Sequence, residues 1–73
     1  MPLKPLPFRI VKRKLERAGF REVSQEGSHV KFAKTTAEGI RTAIVPRHRE
    51  IVVGTLRSIL SQAGLGVGEF NAL

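Results

Sequence analysis

The sequence predicts a small α+β fold of order α-β-β-β-α, in which a three-stranded antiparallel sheet carries two helices packed on one face. Three observations predict it. Two segments, one near each end of the 73-residue chain, repeat apolar residues at helical spacing. Between them lie three short stretches that alternate or cluster β-branched and aromatic residues, separated by glycine-containing turns. Each helix is apolar on one side only, so both must bury a stripe, and a shared sheet face buries both.

The opening, MPLKPLP, spaces prolines at 2, 5 and 7 and reads as a loose lead-in over residues 1–6, with a PxxP-type ligand as the alternative. Pro7 suits the first turn of a helix, where its missing N–H costs nothing. FRIVKRKLERAG is that helix: Phe8, Val11, Leu15 and Ala18 form the apolar stripe, and Gly19 is the stop. Arg9, Lys12, Arg13, Lys14 and Arg17 cover the remainder, either as a solvated surface or as a face that tracks phosphates.

FREVSQE is the first strand, too imperfectly alternating to reveal its inward side. Gly27-Ser28 makes a tight turn into HVKFAK, where Val30 and Phe32 share one face and His29 and Lys31 the other. TTAEG is the next hairpin loop, followed by IRTAIVP. Centring that hairpin near Ala37 sets Val30 opposite Ile44, Phe32 opposite Thr42 and His29 opposite Val45. Pro46 ends the strand by withholding a donor. REIVVGTLRSILSQAGLG supplies the second helix, with Leu56, Ile59, Leu60 and Ala63 as its stripe and Gly64 as its end. VGEFNAL adds a short terminal turn anchored by Phe70.

Length and composition bound the function. The chain is one domain, residues 1–73, and burying about 60% of its unfolded surface gives it a modest core. It has no cysteine, so disulfides and thiolate metal sites are excluded. No window reaches a membrane span and no signal peptide is legible, so a cytoplasmic protein without membrane contact is expected. Thirteen lysines and arginines face six acids, a formal net charge of +7. An excess of that size points to an anionic partner: nucleic acid first, an acidic protein second, a membrane surface third.

With the helices over Val30 and Phe32, His29, Lys31 and Arg41 are expected on the open face. PRHRE follows the third strand, so Arg47, His48 and Arg49 are expected at the sheet edge where His29 begins its strand. Cleaving a ribonucleotide chain needs a base for the 2′-hydroxyl proton, an acid for the departing oxygen and cations for the phosphate. Histidine serves either proton role near neutral pH. His29 is therefore a candidate catalytic residue, with a plain surface or core histidine as the alternative. His48 is a candidate second acid–base group or RNA contact, with a merely solvated loop residue as the alternative, and Lys31, Arg41, Arg47, Arg49 and Arg57 are candidate RNA-binding cations. Two-metal chemistry needs clustered carboxylates, and this chain has no aspartate and only scattered glutamates. No zinc ligand set or phosphate-loop fingerprint is present, so neither a metal nor a cofactor is expected. A Gly54-Thr55 helix start is read as a helix start. Two other readings use the same fold: a non-catalytic module that holds double-stranded RNA by shape, and a basic domain that meets an acidic protein.

GSHVKF followed by IVPRH, a short link and GTLRSILSQAGL resembles the HicA family of mRNA interferase toxins, over about Phe8 to Phe70. The resemblance implies a double-stranded-RNA-binding-like fold, metal-independent endoribonuclease action on mRNA, and an essential histidine that maps to His29. It also implies a HicB-type antitoxin partner that covers the active surface; homo-oligomers and toxin–antitoxin hetero-oligomers both stay open. The family's proline–x–histidine element maps to Pro46 and His48. The chain departs from the family pattern at Val52-Val53, where a lysine or proline is common, and in its proline-rich start.

Overall fold

The computed structural model describes residues 2–73. Helix α1 (Phe8–Arg17) buries Phe8, Val11 and Leu15, the stripe its spacing sets. It stops because Gly19 takes φ 98°, which lets the Phe20 N–H bond the Leu15 carbonyl at 2.9 Å and the Gly19 N–H the Glu16 carbonyl at 3.0 Å. Those two bonds satisfy carbonyls the helix end would otherwise leave open, and the buried Phe20 seals the turn.

Strands β1 (Arg21–Glu26), β2 (His29–Thr36) and β3 (Gly39–Pro46) form one antiparallel sheet in that order. Glu26 pairs with His29, so Gly27-Ser28 is a two-residue turn, and Gly27 supplies its positive φ of 58°. Helix α2 (Val53–Ala63) buries Leu56, Ile59, Leu60 and Ala63. Helix α3 (Val67–Ala72) is the terminal turn, anchored by a fully buried Phe70. The core gathers Phe8, Val11, Leu15, Val30, Phe32, Ala43, Val45 and the α2 stripe on one side of the sheet. The α-β-β-β-α order and the one-sided helix packing are those the sequence predicts.

Two expectations need correction. The β2–β3 register is one residue away from the expected one: Val30 pairs with Val45, Phe32 with Ala43, Lys31 with Ile44 and His29 with Pro46. The turn holds only Ala37 and Glu38, because Thr36 pairs with Gly39 and its hydroxyl donates to the Gly39 carbonyl at 2.8 Å while accepting the Glu38 N–H at 3.2 Å. A hairpin centred between residues 37 and 38 instead of on Ala37 turns every β3 side chain over. Ala43 and Val45 therefore fill the core, and Ile44, 39% exposed, lies on the open face with Thr42.

The lead-in is not loose. Leu6 and Ile51 exchange backbone hydrogen bonds, Leu6 N–H to Ile51 carbonyl at 3.2 Å and Ile51 N–H to Leu6 carbonyl at 2.7 Å, and Leu3 is buried. Leucines at 3 and 6 between the prolines carry the docking, Leu6 beside Ile51 at the approach to α2 and Leu3 near Lys14 and Asn71; Met1 lies outside the described residues.

Candidate functional site

His29 is the first residue of β2, exposed, and set by strand alternation on the face opposite Val30 and Phe32. Its cross-strand partners are Glu26 on β1 and Pro46 on β3. The imidazole helps line a shallow depression with Ser24, Glu26, Lys31 and Ile44. One imidazole, one carboxylate, one ammonium and one hydroxyl thus meet on the uncovered side of the sheet. Glu26 and Ser24 are additions to the residues singled out from sequence. The signal for Glu26 was present: a two-residue turn between E and H in EGSH must set the two opposite each other.

The flipped register moves Arg41 off the open face. It shares the alternation of Ala43 and Val45, and its Nη1 donates to the Gln62 carbonyl on α2 at 3.0 Å. A Cβ on Gly64 would sit 2.7 Å from the Arg41 Cζ, so the guanidinium lies against the glycine that ends α2. A cation there meets the open carbonyls and negative end of the helix. Gln62 also accepts the Ile44 N–H at 2.9 Å, closing the outer edge of β3.

Arg47 likewise turns toward the helices. Its guanidinium lies 4.5 Å from the Phe8 ring centroid, Nη2 donates to Gln25 Oε1 at 3.1 Å, and Glu22 stands 4.0 Å away. Its backbone N–H donates to the Ser28 carbonyl at 2.6 Å, so the loop after β3 does run beside the start of β2. His48, exposed, gives its backbone carbonyl to the Phe8 N–H at 3.0 Å and so caps the first turn of α1. The residue borders a second depression with Pro7, Phe8, Arg9, Arg47 and Arg49. The two histidines therefore serve different depressions, joined through the Ser28–Arg47 backbone bond. Lys31 stands beside His29, and Arg57 is exposed on the outer side of α2.

Among the described residues no three histidine, cysteine, aspartate or glutamate side chains gather to hold a metal, and no helix is long and apolar enough to cross a membrane. A family model described as the HicA toxin of bacterial toxin–antitoxin systems matches residues 8–65. No curated protein matches the chain.

Proposed function

This chain belongs to the HicA toxin family of bacterial toxin–antitoxin systems, and from that premise we propose that it is a metal-independent endoribonuclease that cleaves mRNA in the cytoplasm with His29 as general acid or base. The observation that carries the reading is the exposed imidazole of His29 on the uncovered sheet face, sharing one depression with Lys31 and Glu26. In the reaction the ribose 2′-oxygen attacks the neighbouring phosphorus and the bond to the 5′-oxygen breaks, leaving a 2′,3′-cyclic phosphate and a 5′-hydroxyl. His29 takes the 2′-hydroxyl proton or protonates the departing oxygen. Lys31 offsets charge that builds on the phosphate, and Glu26, opposite His29 in register, is the carboxylate in position to orient the ring. Arg49, Arg57 and the free donors of Arg47 hold flanking phosphates, which position the strand without reading its bases. A HicB-type antitoxin that covers this face silences the enzyme.

Purified protein and a His29→Ala variant, both treated with chelator, are compared on an RNA substrate and by induction in growing cells. The parent cleaves and arrests growth; the variant, folded by circular dichroism, does neither. A folded variant that cleaves and arrests growth like the parent overturns the assignment. Intact RNA bound tightly by the parent under the same conditions replaces the enzyme with a binding module.

A further inference from the structure

Resting on the RNA-cleaving reading, we infer that the depression around the start of α1 is a second, non-catalytic phosphate site, in which Arg9, Arg49 and His48 grip the backbone of the single-stranded RNA whose scissile phosphate lies at His29. Three arginines and one histidine border this concavity together with Pro7 and Phe8, and no acid does. Among the described residues the only ion pairs are Lys12 with Glu22 and the long Arg47–Glu22 contact, so Arg9 and Arg49 keep their charge unneutralised by any ion pair. Arg47 is fixed beforehand by the Phe8 ring and Gln25, which presents its remaining N–H groups without an ordering cost at binding. The site is shallow and open, a form that a polymer backbone can enter.

RNA is favoured over an acidic protein by continuity. The Arg47 N–H is bonded to the carbonyl of Ser28, the residue before His29, so the arginine-bordered depression adjoins the edge of the sheet at which His29 begins its strand. The exposed His48 ring adds a surface on which an unpaired base can stack, as single-strand binders use aromatic rings. His48 thereby acts on binding and not on the proton transfers.

The test is made in the His29→Ala background, so that a single-stranded RNA oligonucleotide stays intact, with affinity read by fluorescence anisotropy from low to high salt. Arg9→Ala/Arg49→Ala should weaken binding about tenfold or more and reduce the slope of log affinity against log salt by about 1.4, two contacts at about 0.7 each. Lys4→Ala/Arg17→Ala removes the same charge elsewhere and should shift both quantities far less. Equal losses in the two double variants overturn the site in favour of general charge. Unchanged RNA affinity with weakened binding of a poly-glutamate peptide assigns the depression to an acidic protein and also overturns it. His48→Ala should weaken RNA binding a fewfold; in an otherwise wild-type chain it should raise KM and leave the pH profile of kcat in place. A lost limb of that profile makes His48 the second acid–base group instead. Failure of His29→Ala to stop cleavage would strike the catalytic assignment alone, since the binding measurements do not depend on turnover.

Discussion

The two sides of the sheet use their cations differently. On the helix side four have structural work: Arg41 bonds the Gln62 carbonyl, Arg47 lies over Phe8, Lys34 stands 5.8 Å from the Phe20 ring centroid, and Lys14 Nζ donates to the carbonyls of Phe70 and Leu73 at 3.0 and 3.1 Å. On the open side Lys31 stands next to His29 without an ion pair among the described residues. A net charge of +7 is therefore not one uniform attractor. Part of it closes helix ends and covers aromatic rings, and the remainder is available to a ligand. Charge alone predicts an anionic partner; which cations meet it depends on the contacts each one already makes.

The sharpest way to break this division is to cut one residue from each side of β2. Phe32→Ala on the covered face should cost about 3–5 kcal/mol. A chain of this size has only about 4–11 kcal/mol in total, so urea unfolding should show a domain at or near collapse. His29→Ala, three residues away, should leave the urea midpoint close to that of the parent and lower the cleavage rate by about 10²–10⁴. A His29→Ala chain that unfolds as readily as Phe32→Ala would mean the open face is structural after all.

Gly64→Ala tests the helix side next. The residue needs φ 73°, and a new Cβ would stand 2.7 Å from the Arg41 guanidinium. The left-handed backbone alone costs about 1–2 kcal/mol in a residue with a side chain, and displacing Arg41 adds to it. Thermal melting should fall by more than in Gly54→Ala, where a Cβ meets open space and φ is not positive.

A smaller effect sharpens the contrast between Arg41 and Lys31. Arg41→Ala should lower stability by about 0.5 kcal/mol through the lost contact at the α2 end, with RNA affinity close to the parent's. Lys31→Ala should do the reverse: unchanged melting, weaker binding, and a salt slope reduced by about 0.7. Equal binding losses would return Arg41 to the ligand surface, where the sequence alone had put it.

That misplacement shows where legibility ended. The helical stripes, their glycine stops and the Gly27-Ser28 turn were readable because spacing and positive φ are local properties. His29 was readable as outward-facing because its strand alternates cleanly, with Val30 and Phe32 fully buried. The β2–β3 register was not, since IRTAIVP offers two apolar sets, Ile44 and Ala43 with Val45, and the choice goes with a two-residue turn braced by the Thr36 hydroxyl, which no apolar pattern reveals. The face of β1 was hidden by a bulge at Val23, between Glu22 and Ser24, which breaks the alternation. The docking of Leu3 and Leu6 was masked by the prolines around them, and the separation of His48 from His29 depends on a loop path that no local pattern encodes.

The smallest expected effect concerns Lys14, a half-buried cation on the helix side. Burial, then the neighbouring charges of Arg13 and Arg17, lower its pKa from the usual 10.5. With the folded value below the unfolded one, the unfolded chain binds more protons between the two. Folding stability should then rise with pH across that window and be lost as pH falls through the folded pKa. Other lysines also titrate there, so the informative quantity is a difference. Lys14→Met keeps an apolar stem over Phe70, whose ring centroid lies 5.1 Å from Nζ in the parent, and removes the titrating group. Urea unfolding of both chains from about pH 8 to 10.5 should show the parent gaining on the variant as pH rises. If the parent instead loses ground over that range, the bonds from the charged ammonium to the Phe70 and Leu73 carbonyls outweigh its burial, and Lys14 is a true cap for the end of α3.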